Sequence, residues 1–265
     1  MATLQGVYIS YKKDGTKYFR SSVTYKSKHI SLGSYHEEIL AHKAYLEALE
    51  LLSNISLTII AYSSNKNTLT FDKWVCLVNF RDNNIYMKTP IFLRKNYFSY
   101  YLSPFTELKF DIDDLFYYSS HKIMKRQGHL FVADYGMQVN ILSRYGIKNY
   151  AIPGKDYLFA NNDSTDYRYQ NIIIVNKYCG VEKIEHGNSI VFQTKIHVNG
   201  NFIVGTYESE IMAAIAYNKA VDIIKKAGLD KNYQTNFVLE ITSKKYAEIY
   251  NMIKISKKIS NWKLL

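Results

Sequence analysis

The feature that most constrains this chain is a stretch that occurs twice. "SLGSYHEEILAHKAYLEA", Ser31 to Ala48, returns as "IVGTYESEIMAAIAYNKA", Ile203 to Ala220. Eight of the eighteen positions are identical: Gly33/Gly205, Tyr35/Tyr207, Glu38/Glu210, Ile39/Ile211, Ala41/Ala213, Ala44/Ala216, Tyr45/Tyr217 and Ala48/Ala220. Chance would give roughly one match, so the sequence carries an internal duplication. Two copies are too few for a stacked solenoid, which needs three or more. The expected organisation is a pair of small domains flanking something different.

Upstream of each copy the sequence reads as three short strands. "KDGT" at 13–16 and "HGN" at 186–188 signal the turn of a first hairpin, and "YKSKH" and "HVNGN" that of a second. Between these turns Phe19, Ser21, Val23 and Tyr25 alternate with Arg20, Ser22 and Thr24. Phe192, Thr194, Ile196 and Val198 alternate likewise with Gln193, Lys195 and His197. Such alternation belongs to an antiparallel sheet buried on one face. Gly33 and Gly205 end the third strand, and a helix follows. Its alanines (41, 44, 48 and 213, 216, 220) recur at three and four residues and share one face. That face is expected to be core, with Tyr45 and Tyr217 at its edges. Function is then left to the opposite, polar face of the sheet.

Gly6-Val7, Phe19, Leu32-Gly33-Ser34-Tyr35 and Ala41-x-x-Ala44-Tyr45-x-x-Ala48 form a combined pattern. It returns as Gly180-Val181, Phe192, Val204-Gly205-Thr206-Tyr207 and Ala213-x-x-Ala216-Tyr217-x-x-Ala220, with "TNFV" at 235–238 closing the second copy. The pattern resembles the DNA-binding domain of the Apetala-two/ethylene-response-factor family over about fifty residues at each end. The resemblance implies a three-stranded sheet that enters the major groove, where strands reach base edges. It points to Tyr8, Ser10, Ser22, Thr24, His29 and Ser31 in the first copy. In the second it points to Glu182, Ile184, Lys195, His197, Asn201 and Ile203. The family's Arg and Trp residues on this face have no counterparts here, which takes away base readout by Arg pairs.

Charge supports a polyanionic partner. The 265 residues carry a net charge of +11, and residues 6–31 hold Lys12, Lys13, Lys17, Arg20, Lys26 and Lys28 against Asp14 alone. The stretch 55–117 is nearly balanced. A diffuse excess of Lys could come from coding bias, but a local cluster gains free energy by releasing counterions from phosphates. These six residues, with Lys183 and Lys195, are phosphate-contact candidates, which position a protein on DNA without specifying sequence.

The central region is expected to be rich in strands, at "KWVCLVNF" (73–80), "NIYMKTPIFL" (84–93) and "TELKFDIDDLFYY" (106–118). "HLFVADYGMQVNILSRYGI" (129–147) reads as a hairpin strand and a short helix. Within "KDYLFANNDSTDYRYQNIIIVN" (155–176), the spacing of Asn161, Asn162, Asp163, Asp166, Arg168 and Asn171-Ile172 resembles the second half of HNH homing endonucleases. The family's metal-binding Asp and general-base His fall on Leu158 and Phe159. Without that carboxylate and imidazole the family mechanism cannot run. Val139-Asn140 stands where the family often has Val-His. The resemblance thus implies a degenerate, inactive nuclease module, kept as a spacer or as an extra platform on DNA.

An enzyme remains the rival reading. Asp111 and Asp113 lie on one side of an expected strand, and Asp134 could join them around a relocated metal, with Asn171 as a further candidate. The seven His residues show no ligand spacing, and no phosphate-cradling glycine loop or nucleophile motif is present. No cofactor, metal or catalytic residue is expected. Two distant cysteines, Cys76 and Cys179, fit a reducing cytosol. Neither a signal peptide nor a run of about 18 apolar residues is found, so no membrane partner is expected. In the tail, Ser243 is a candidate helix cap, and Tyr246, Ile249, Tyr250 and Ile253 recur at helical spacing, with docking on the second repeat the expected use.

The expectation is an α+β protein in four segments: 1–54, 55–176, 177–238 and a C-terminal helix over 239–265. Two sheet-plus-helix domains flank a β-rich module of ββα type. The expected function is non-catalytic binding of double-stranded DNA, as a cytoplasmic or nucleoid-associated regulator of transcription or of a mobile element. An HNH-type endonuclease, or an RNA- or protein-binding module, is the alternative. Self-association is left open.

Overall fold

In the computed structural model, which describes residues 3–187, 189–229 and 231–263, the chain is α+β. The described residues form four three-stranded sheets, all antiparallel, and one two-stranded sheet, with six α-helices. Contacts divide it into two compact units. One unit holds the residues up to Ile141 with Asp163–Asn171; the other holds Leu142–Asn162 and the residues from Ile172 onward.

In the first unit, strands β1 (Val7–Tyr11), β2 (Lys17–Tyr25) and β3 (Lys28–Tyr35) form a sheet covered by helix α1 (Glu38–Ser53). Ala41, Ala44 and Ala48 are fully buried, as their spacing predicts. The core does not stop at residue 54. Val23, Ile30, Leu32, Ala44 and Ala48 pack with Leu69, Trp74, Leu77 and Phe80 of the following segment. That segment is helix α2 (Phe71–Asn83), not the strand expected at 73–80. Its run of apolar residues is buried on nearly every side, so no periodicity distinguished helix from strand. The Thr70 hydroxyl, which accepts from Lys73 N, marks the start.

Strands β4 (Ile91–Leu93), β5 (Tyr97–Ser103) and β6 (Thr106–Asp111) follow. The strand expected over 84–93 is thus only three residues long, and β5, which has no alternation because Phe98 to Tyr101 are all buried, replaces it as the sheet's centre. A 3-10 turn and helix α3 (Leu115–Ser120) occupy the end of the strand expected over 106–118. Strands β7 (Ile123–Arg126), β8 (His129–Asp134) and β9 (Met137–Asn140) make a further sheet.

In the second unit β10 (Tyr157–Phe159) pairs with β11 (Ile172–Ile174). The next element is strand β12. The second repeat is β12 (Val181–His186), β13 (Ser189–His197) and β14 (Asn201–Tyr207) under helix α4 (Glu210–Lys226). Asn188 of the expected "HGN" turn lies outside the described residues. Helices α5 (Ser243–Met252) and α6 (Lys257–Ser260) complete the chain. Thr242, rather than Ser243, caps α5, its hydroxyl accepting from Lys245 N. Ile253 and Ile259 are buried in the core of the second repeat, so the tail docks there.

The identical residues of the two repeats have identical work. A Cβ on Gly6 would lie 2.2 Å from the Tyr45 ring, and one on Gly180 2.2 Å from the Tyr217 ring. Both glycines have positive φ, 75° and 70°. Glu38 accepts from Leu4 N at 2.8 Å, and Glu210 from Lys177 N at 3.2 Å, each helix tying down the segment before its sheet. A bulge falls at the same place in both sheets. Leu32 is skipped between the pairs Ser21–Gly33 and Ser22–Ser31, and Val204 between Thr194–Gly205 and Lys195–Ile203.

Candidate nucleic-acid interface

The alternation on β2 sends Phe19, Ser21 and Val23 inward, which leaves Arg20, Ser22 and Thr24 on the outer face. Register then decides their neighbours. Tyr8 stands opposite Arg20, Ser31 opposite Ser22, and His29 opposite Thr24. Tyr8, Arg20, Thr24, His29 and Ser31 are exposed, and Ser10 is half-buried. The bulge at Leu32 shifts the alternation of β3 by one, so Ser34, opposite Arg20, joins this face. Simple alternation would have assigned Gly33 instead, which is why the sequence reading missed Ser34.

Ser22 departs from expectation. It is only 7% exposed, screened by its neighbours on the same face, and its Oγ has no hydrogen-bond partner. A recess of about 380 Å³ lined by Tyr8, Ser10, Arg20, His29 and Ser31 opens over it. A buried hydroxyl without a partner costs about 1–3 kcal/mol relative to a satisfied one, so an occupant able to complete it would be favoured.

The cations of this sheet fall into two groups. Lys12, Lys13 and Arg20 are exposed and form no ion pair among the described residues; Lys17 is likewise exposed, its amine 4.9 Å from the Phe19 ring centroid. Asp14, the single acid, turns back into its own loop, where Oδ1 accepts from Thr16 N at 2.9 Å. That bond holds its carboxyl below the usual range. Lys26 and Lys28 belong elsewhere. Lys26 donates to Arg81 O and Asn84 Oδ1 at the end of α2, and Lys28 sits over the Tyr86 ring. Lys26, a phosphate-contact candidate, thus ties the β2–β3 turn to the end of α2.

The second sheet keeps the frame but not the face. Its two cations are both paired: Lys195 Nζ lies 3.0 Å from Glu182 and Lys183 Nζ 3.2 Å from Glu185. Lys155 adds a second contact to Glu182 at 3.0 Å, so the loop before β10 leans on this sheet. Both shift the Glu182 carboxyl below its usual range, against the opposing effect of burial. Ile184 is half-buried, while His197, Asn201 and Ile203 are exposed. His197 Nδ1 meets Asn201 Oδ1 at 3.0 Å. Lys183 and Lys195, both phosphate-contact candidates, thus each stand beside a carboxylate of their own sheet. The signal was legible: Glu182 and Glu185 sit within the same strand pair in the sequence.

The HNH-like spacing resolves into structural bonds. Arg168 makes two bonds to the carboxylate of Asp166, at 2.8 and 2.6 Å, and Asp166 is fully buried. Asn171 Nδ2 donates to Asp166 O at 2.8 Å. Asp163 accepts from Thr165 and pairs with Lys109 at 2.9 Å, and these partners hold its carboxyl down at about 2. Leu158 and Phe159 lie on β10.

The relocated metal site is not assembled. Asp111 ends β6 and accepts from Tyr169 N, Asp113 lies in the 3-10 turn, and Asp134 faces His121 Nε2 at 3.5 Å. Among the described residues no three His, Cys, Asp or Glu side chains group as metal ligands would. No helix of the described residues is long and apolar enough to cross a membrane. Comparison with family models, curated proteins and solved structures returned no match to this chain.

Proposed function

We propose that this protein binds double-stranded DNA through the outer face of β1–β3 and does not cut it. The observation that carries the reading is the composition of that face. Arg20 stands beside a recess of hydroxyls and an imidazole, and Lys12, Lys13 and Lys17 at the β1–β2 end of the sheet form no ion pair among the described residues, with Asp14 the one acid there. A three-stranded sheet is narrow enough for the major groove, and Arg20 at its centre has the donor fork that matches a guanine edge. The lysines position the duplex; Arg20, Ser22, His29 and Ser31 are the residues for sequence readout. A regulator of transcription or of a mobile element is the biological role that fits non-catalytic binding of this kind.

Binding measured by fluorescence anisotropy across a salt series tests the proposal. Three phosphate-neutralising lysines give a log–log slope of about −2.7. Salt-insensitive binding, or none to duplex DNA at low salt, rejects it. Selection of bound sequences from random duplexes then reports whether bases are read. The nuclease reading is addressed by incubating the protein with plasmid and Mg²⁺ or Mn²⁺; the plasmid is expected to remain intact.

A further inference from the structure

The sheet β7–β9 has a face that neither the repeats nor the nuclease comparison accounts for. Its inner side carries Ile123 and Val132, both buried. Register places Met124, Phe131 and Asn140 abreast on the other side, with Arg126 opposite His129 and Gln138 opposite Ala133. Arg126, His129, Phe131 and Gln138 line a recess of about 310 Å³ there. The two-residue turn Gln127-Gly128 has positive φ at both positions, 49° and 84°, the geometry of a tight, twisted hairpin. It brings Lys125 and Arg126 to the tip of a two-stranded ribbon, Arg126 on this outer side with His129 and Lys125 on the side of Ile123 and Val132. Both are exposed, and neither has an ion-pair partner among the described residues. The one acid of these strands, Asp134, lies on the opposite side with Val132 and faces His121.

We infer that this outer face and the hairpin tip at its end form a second contact surface for duplex DNA, with Arg126 from the outer side and Lys125 from the other side of the tip on phosphates, and Gln138 and Phe131 toward base edges. The inference rests on the reading of the protein as a DNA binder, but on different residues. Charge complementarity selects the occupant: a cationic tip with no opposing carboxylate suits a polyanion. The rest of the face narrows the choice. A carboxamide matches the adenine N6/N7 edge, a half-exposed Phe ring suits a thymine methyl, and a ribbon of this width enters the major groove. The first unit would then grip DNA with two sheets of its own.

The test compares salt series on one selected duplex for wild type, Lys125→Gln/Arg126→Gln and Gln138→Ala. Each phosphate contact removed lowers the slope by about 0.9, so the double variant is expected to flatten it by about 1.8. Gln138→Ala is expected to weaken the selected sequence about fivefold or more while leaving the slope unchanged. Lys88→Gln/Lys95→Gln, the same charge loss at exposed positions elsewhere in the unit, controls for a diffuse field and should change neither. A double variant with wild-type slope, or one matched by the control pair, overturns the inference while leaving β1–β3 standing. Absence of wild-type binding removes both surfaces. Circular dichroism of each variant, expected to be unchanged because these side chains are exposed, separates lost contacts from lost folding.

Discussion

The two repeats share a skeleton and differ in skin. Every residue that is identical between "SLGSYHEEILAHKAYLEA" and its second copy is a glycine, tyrosine, alanine, isoleucine or the clamping glutamate. Most of these are inside or hold the frame; Ile39, 71% exposed, is the clear exception. On the outer faces the copies part. The first sheet has six basic residues against Asp14, none of them in an ion pair among the described residues; the second has Lys183 and Lys195 against Glu182 and Glu185, both pairs closed. A duplicated domain thus keeps its packing while its surface is free to change partners. The difference teaches that repeat identity speaks for fold and not for a repeated function.

The largest expected effect tests the shared skeleton. Gly6→Val and Gly180→Val each drive a side chain into a tyrosine ring and require a β-branched residue at positive φ. Overpacking costs about 1–3 kcal/mol and the left-handed backbone about 1–2 more. Thermal melts should fall steeply for both, and Gly180→Val further, because its Cβ also meets Lys195 O at 2.5 Å. A variant of either glycine that melts with wild type breaks the claim that these Gly–Tyr contacts hold the repeats.

The second effect separates the skins. Arg20→Ala should weaken the preferred sequence by about 1–3 kcal/mol and relax specificity for it. Lys195→Ala should leave both unchanged, since its amine already serves Glu182. Equal losses from the two variants would dissolve the contrast. Glu182→Gln approaches it from the other side. With the carboxylate gone, Lys155 and Lys195 are released together, and non-specific DNA binding should strengthen with a slope steeper by about one to two. No change would mean that the second face is barred from DNA by shape rather than charge.

How far the sequence discloses this depends on which signals are local. The strands and helices of both repeats follow from turn residues, alternation and alanine spacing, because each pattern reports burial on one side only. Helix α2 and strand β5 do not, since burial on nearly all sides erases periodicity. The free or spent state of a cation is less legible still. Lys12 and Lys26 look alike in the sequence and both are exposed, yet Lys26 donates to Arg81 O, 55 residues away. Ser34 escaped because a bulge changes which residues face out, and nothing short of the strand register reveals it. Arg168 and Asn171, which suggested a nuclease by spacing, gain their meaning only from Asp166 between them.

The smallest expected effect concerns acid. In the first unit Asp163 is held at about 2 by Thr165 and then Lys109; in the second Glu240 is held at about 2 by Lys177 and then Tyr178. Both folded values lie below the ordinary 3.8 and 4.5, so each contribution is complete above those values and is lost as pH falls toward 2. Each carboxylate is more than a third exposed or close to it, at 35% and 39%, so solvent screening keeps either contribution below about 1 kcal/mol. Glu240 ties the segment after α4 to the residues that lead into β12, through Lys177 and the Tyr178 hydroxyl. Lys177→Ala should therefore weaken the acid sensitivity of the second unit alone, and Thr165→Val that of the first. Hydrogen exchange followed between pH 5 and pH 3 resolves the two. Should either substitution alter protection in both units equally, the two repeats would be coupled in stability, and their difference could no longer be assigned to their surfaces alone.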